Sequence, residues 1–154
     1  MRSILTFVFL ATSAMSSCAQ HSNKNTDATN IFPKGNKINS ANFKGAAYLQ
    51  TLMEADSLNP TSVGNVTFEA SARTRWHKHP GGQILLVTDG VGYYQEQGQP
   101  KKILRKGDVI KCPANQPHWH GASADTAFVQ VAITNRHLGE TVWLHEVTEE
   151  EYKK

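Results

Sequence analysis

From Ile38 to Val147 the apolar positions come in short runs interleaved with polar ones, the two-residue period of half-buried strands. Ala46–Met53, Gly64–Ser71, Gln83–Thr88, Gly92–Gln97, Lys102–Leu104, Asp108–Cys112, Ala127–Thr134 and Thr141–Val147 are rich in β-branched and aromatic residues and bounded by Gly, Pro, Asn or Asp. These eight runs predict an all-β barrel or sandwich. Asp89-Gly90, Gly98, Lys106-Gly107-Asp108 and the stretch Pro113 to Pro117 carry turn chemistry, so the pattern reads as antiparallel hairpins, one of them turning at Asp89-Gly90. No long amphipathic helix competes. Only the end differs: Thr148 followed by Glu151 fits a capping box, and Glu149 and Glu150 suit a helix N-terminus, so 149–154 reads as a short helix or tail.

The first residues follow another pattern. Met1 and Arg2 precede an apolar run from Ile4 to Ala14, and Ser16, Ser17 and Ala19 surround Cys18, the layout of a secretory signal over 1–17. The run is shorter than the ~20 apolar residues a spanning helix needs. Met15-Ser16-Ser17-Cys18 resembles a bacterial lipobox, with Met15 where leucine is usual, and the resemblance implies acylation of Cys18. The alternative is an ordinary signal cut nearby, leaving Cys18 free or disulfide-bonded. His21 to Asn30 is rich in Asn, Thr and Ser without periodicity, so 18–37 reads as a tether between a membrane anchor and a barrel over 38–148. The expected location is the bacterial cell envelope, lipid-anchored, or secreted if Cys18 is not acylated.

Composition narrows the function classes. With 154 residues, 39% hydrophobic and 19% charged, the chain is sized for one domain with an ordinary core. Its 16 basic and 13 acidic side chains give +3, and removing Arg2 with the signal leaves 15 against 13. The basic residues are scattered; the groups Arg73/Arg75/Lys78 and Lys101/Lys102/Arg105/Lys106 sit near turns and lack an interleaved stacking surface, so nucleic acid is not expected as a partner.

Four of the seven histidines fall in two pairs, His77-Lys78-His79 and His118-Trp119-His120. On a strand each pair presents two imidazoles to one face, roughly 7 Å apart along the chain, which is metal-ligand geometry on a β scaffold. Both pairs lie in stretches that resemble the cupin family. The first cupin motif, G-x5-H-x-H-x(3,4)-E-x6-G, is matched by Ser71, His77, His79, Gln83 and Gly90; the second, G-x5-P-x-G-x2-H-x3-N, by Gly107, Pro113, Asn115, His118 and Ala122. The spacing is kept throughout, while Ser71, Gln83, Asn115 and Ala122 depart from the family's residue types. The resemblance implies a single-domain jelly roll (double-stranded β-helix), a homodimer, and one divalent metal on His77, His79, Gln83 and His118. Imidazole and carboxamide donors suit Mn, Fe, Co, Ni, Cu or Zn. The alternative is a degenerate cupin whose histidines only line a pocket. Within the family, W-H-K-H-P-G-G-Q and P-H-W-H-G-A are similar to small bacterial cupins that include manganese-dependent hydroxynitrile lyases, with relatives that occur fused or adjacent to carboxymuconolactone decarboxylase domains. That likeness puts manganese first and implies lyase chemistry on a small hydroxylated or carbonyl compound.

Gln83 has a chemical consequence. Many oxygen-activating cupins carry glutamate there, and an amide cannot take a proton as that carboxylate does. Three neutral imidazoles and an amide leave a divalent ion its full charge, which suits Lewis-acid work and binding of an anionic ligand and shifts the reading from a dioxygenase toward lyase, hydratase or isomerase chemistry, with a non-catalytic metal-dependent binding module as the alternative. His120 is the candidate base, sharing a face with His118 and titrating in the working range. Its other readings are a hydrogen-bond donor behind the ligands, an extra ligand, or a surface histidine. Cys112 reads as a buried small hydrophobe rather than a nucleophile or thiolate ligand, His137 and His145 as surface or satisfied histidines, Tyr93, Tyr94, Phe128, Trp143 and Leu144 as core or interface, with inward ones able to shape a pocket, and Arg73 and Arg75 as solvent-facing or ion-paired, with an anion clamp as the alternative. The N-terminal reading is checked by metabolic labelling with a radiolabelled fatty acid: label is expected on the wild-type chain and none on Cys18→Ser.

Overall fold

The computed structural model describes residues 30–154; the segment 1–29, with Cys18 and His21, lies outside the described residues. Twelve strands and one short helix follow in order: β1 (Asn36–Lys37), β2 (Phe43–Lys44), β3 (Ala47–Met53), β4 (Thr61–Phe68), β5 (Arg73–Thr74), β6 (His77–Lys78), β7 (Gln83–Glu96), β8 (Lys102–Arg105), β9 (Val109–Cys112), β10 (His118–Ala122), β11 (Phe128–Asn135), β12 (Val142–Trp143) and α1 (Glu149–Lys153). The fold is all-β and every pairing is antiparallel. β1 begins just upstream of the boundary read at Ile38, pairing Asn36 with Leu49.

The strands curl into two layers along the path β1-β3-β4-β11-β7-β10-β5-β2, with β6 beside β10, β12 beside β6, and β8 and β9 along β7. Their common member is β7. Its first half pairs with β11 and β9, its second with β10 and β8, so one strand belongs to both layers. Here the sequence expectation is corrected: Asp89-Gly90 is not a hairpin turn but the bend of a continuous strand. The register against β11 slips between Val129 and Gln130, a bulge that turns the strand, and Gly90 takes a φ of 75°. A Cβ at Gly90 would lie 2.0 Å from the Ala127 carbonyl oxygen, so only glycine lets the strands meet there. The dipeptide's turn propensity is used for a bend inside a ladder.

Alternation sorts the side chains. Phe68, Leu85, Val87, Leu104 and Phe128 fill the interior, and Cys112 lies among them, buried as expected. Trp76 and Trp119 point outward and are covered by Val147 and Tyr152 from the C-terminal segment. That segment is anchored by α1, whose capping box forms as the sequence predicts: Thr148 Oγ1 accepts from Glu151 N, and Glu151 accepts from Thr148 N. Arg73 is the point of attachment and is not solvent-facing. Only 2% exposed, it pairs with Glu149 at 2.7 Å and lies 4.3 Å above the Tyr152 ring. The ion-paired alternative holds for Arg73, and Arg75 meets Glu146 at 3.7 Å.

Among the described residues two non-glycine positions have positive φ, Ser71 (66°) and Asn115 (59°). Both occupy glycine positions of the cupin motifs, so the backbone geometry survives the change of residue; Asn in particular tolerates this region. Gly90→Ala is expected to destabilise the protein by about 3 kcal/mol, from the left-handed backbone plus the carbonyl clash, as read by chemical denaturation.

Candidate metal centre

His77, His79 and His118 converge on one point of the barrel interior. β6 and β10 pair antiparallel with His118 directly opposite His77, which sets the two imidazoles side by side. His79 follows β6 and is held at the turn, where its carbonyl accepts from Gly82 N at 3.1 Å and from Asn115 N at 2.9 Å. The left-handed turn at Asn115 thus fixes the end of the ligand strand. Pro80-Gly81-Gly82 then reverses the chain so that Gln83 opens β7 beside the same site; a Cβ at Gly81 would meet the Asn135 carbonyl at 2.5 Å.

One potential ligand atom from each of the three histidines lies within 4.8 Å of the others, and all three residues are buried. Their outer nitrogens are already engaged. His77 Nδ1 faces the Arg75 carbonyl and His118 Nδ1 the Gln116 carbonyl, both at 2.9 Å, and His79 Nδ1 lies 3.2 Å from Thr141 Oγ1. A carbonyl accepts only from N–H, so His77 and His118 carry their protons on Nδ1 and turn the Nε2 lone pairs inward. Gln83 Nε2 donates to Thr134 Oγ1 at 2.9 Å, leaving its carbonyl as the free end. His79 Nε2, His118 Nε2 and Gln83 Oε1 are buried with no hydrogen-bond partner. Three unsatisfied acceptors gathered in one place would be costly in a site meant to stay empty, and they are the donor set a divalent transition metal takes. The residues fit the ion.

Electrostatics points the same way. Burial pushes His77 well below the usual histidine range, and the like charges of His118 and His120 add to the effect. Burial likewise brings His79 down to about 3, with His118 and Arg136 contributing and the Gln83 side chain opposing, and lowers His118. Each imidazole is therefore neutral at pH 7, the form that ligates.

His120 completes the cluster, its ring 5.2 Å from that of His77. It is 4% exposed and lowered well below its ordinary value, first by burial and then by His118 and His79. The surface reading of His120 is thereby excluded. It lines a cavity of about 540 Å³ together with His77, His79 and Gln83. The rest of the lining includes the apolar Ile38, Phe43, Leu49, Met53 and Trp143, whose ring lies 4.9 Å from that of His77, together with Glu54, Arg136 and Glu140. Trp143, expected as core or interface, faces this space. His137 and His145 are exposed, as expected.

Sequence reasoning missed Gln130, Thr134 and Thr141. Gln130 Nε2 lies 3.0 Å from His120 Nδ1, and Gln130 is fully buried. The signal was present: in Phe128-Val129-Gln130-Val131-Ala132-Ile133-Thr134 the polar residues share the alternation of Phe128, hence the inward face.

The cupin-domain family model matches residues 64–134. The chain is 39% identical over 113 residues to an (R)-mandelonitrile lyase of Granulicella tundricola, covering 73% of this chain and 86% of that protein. It is 49% identical to a cupin-like protein from Thermotoga maritima whose crystal structure superposes with a TM-score of 0.77, over 80% of this chain and 95% of the other. A shorter similarity, 31% over 62 residues, links it to an acireductone dioxygenase of Alcanivorax borkumensis, covering 38% of this chain and 34% of that one.

The depressed imidazoles predict acid lability of the metal-free protein. Unfolded histidine titrates near 6.5, so below that pH the unfolded chain binds protons the folded chain refuses, and stability falls as pH falls. The Glu149 carboxyl, held at about 2 by Lys44 and Arg73, adds its own loss only below its ordinary 4.5. Melting temperature should therefore drop already between pH 7 and about 5, in the histidine window; a flat profile there would contradict neutral burial of the cluster.

Proposed function

The chain belongs to the cupin family, and from that premise we propose that it is a metal-dependent lyase which cleaves small cyanohydrin-like hydroxy compounds. The observation that carries the reading is the convergence of unpartnered His79 Nε2, His118 Nε2 and Gln83 Oε1, with His79, Gln83 and His120 lining one largely apolar cavity. His77, His79, His118 and Gln83 would hold one divalent ion, with manganese favoured by the likeness to hydroxynitrile lyases. Such an ion supplies Lewis acidity toward a hydroxyl or carbonyl oxygen.

The chain's own residues do the rest. The wall of Phe43, Leu49, Met53 and Trp143 receives an apolar or aryl body and turns the polar end toward the histidines. His120 Nε2 takes the hydroxyl proton as the C–CN bond breaks; the oxygen's electrons become the carbonyl, the bond pair leaves with cyanide, and His120 returns the proton to cyanide. The products are an aldehyde or ketone and hydrogen cyanide, with nothing oxidised. Gln83 takes no part in proton transfer, since its amide does not titrate. Gln83 also separates this reading from oxygen chemistry, which the shorter similarity to an acireductone dioxygenase favours.

Elemental analysis of protein purified without a histidine tag should find one divalent transition metal per chain, lost in His118→Ala. Aerobic and anaerobic turnover of cyanohydrins, hydroxy acids and enols is expected to give aldehyde and cyanide from aryl cyanohydrins at equal rates. His120→Ala should keep its metal and lose roughly 100-fold or more in kcat. Oxygen uptake would favour dioxygenation, and ligand-dependent stabilisation without product a binding module.

A further inference from the structure

Gln130 is a buried carboxamide at a position where the fold asks for a hydrocarbon. It projects inward from β11 between Phe128 and Ala132, opposite Val66 on β4 and Val87 on β7, and has no exposed surface. Its Nε2 lies 3.0 Å from His120 Nδ1, and its Oε1 is buried without a partner. The other polar contacts of His120 are made by its backbone: its N–H donates to Thr74 Oγ1 and its carbonyl accepts from that hydroxyl, both at 3.2 Å. Among the described residues, Gln130 supplies the hydrogen bond to the ring.

From this contact we infer that Gln130 is a positioning residue which decides which ring nitrogen of His120 carries the proton, and hence whether His120 shows the cavity a lone pair or an N–H. The inference rests on the reading of His120 as the base. A half-turn of the carboxamide exchanges its nitrogen and oxygen at nearly the same positions. With the nitrogen toward the ring, Nδ1 must accept, the proton sits on Nε2, and the cavity meets a donor. With Oε1 toward the ring, Nδ1–H is fixed and Nε2 offers a lone pair. Only the second arrangement survives when Nε2 gains a proton, because the cation keeps its N–H on Nδ1 and still needs an acceptor there. The working orientation is therefore Oε1 on Nδ1–H, with the Nε2 amide in the buried position that Oε1 otherwise holds.

The His120 tautomer can be read directly from the ring 15N resonances of the full chain loaded with diamagnetic zinc, independently of turnover. Wild type is expected to show a protonated Nδ1 and an unprotonated Nε2. Gln130→Glu, an acceptor only, should keep that tautomer and most of the turnover. Gln130→Met, of similar length but without a hydrogen bond, should mix the tautomers and lower kcat roughly tenfold or more with KM little changed. A proton on Nε2 in wild type, or an unchanged tautomer in Gln130→Met, overturns the inference. Full turnover by His120→Ala would instead overturn the base reading while leaving the tautomer result standing, so the two failures are distinguishable. The wild-type spectrum alone decides the tautomer if a variant does not fold.

Discussion

Burial of four imidazoles in a barrel interior that is otherwise mostly apolar is the constraint to which the other features answer. Desolvation keeps the rings neutral, but each neutral ring still has one nitrogen that must donate and one that must accept. The fold deals with the outer nitrogens locally. His77 and His118 use the carbonyl of the residue two positions before them, an arrangement available because both lie at the start of short strands. His79 turns to a threonine on the segment leading into β12, and His120 to a glutamine on β11. The inward nitrogens are left free together, and that shared deficit makes the interior a site.

Position depends on β7. Because this strand runs through both layers, it places Gln83 at the ligand turn in one layer and Tyr94 and Glu96 opposite His120 and His118 in the other. The outer face is managed separately. Trp76 and Trp119, next to His77 and His118 in sequence, are covered by the C-terminal segment, and Arg73 ties that segment to the sheet through Glu149 and Tyr152. The cluster is thus backed by a packed wall on one side and faces the cavity on the other.

Most of this architecture is legible in the sequence because strand alternation and motif spacing are local signals. The ligand spacing, the buried Cys112 and the capping box at Thr148 were all readable from neighbouring residues. What escaped depends on distant partners. Asp89-Gly90 has the chemistry of a turn, and only the bulge against Val129 and Gln130 makes it a bend. For Arg73 the sequence leaves solvent-facing and ion-paired both open, because the partner, Glu149, lies more than seventy residues later. Gln130 and Thr134 look like ordinary polar residues of a strand until His120 and Gln83 are placed opposite them. In each case the deciding partner comes from another part of the chain.

Ser71 and Asn115 bear on how such a site persists while its sequence drifts. At both positions the cupin pattern asks for glycine, and at both this chain keeps the left-handed backbone with a different residue. Asn115 still delivers its N–H to the His79 carbonyl, and Ser71 adds a bond from its hydroxyl to the Ala124 carbonyl. What is handed down at these points is a pair of dihedral angles, and the letter in the sequence is free to change so long as a side chain can bear them.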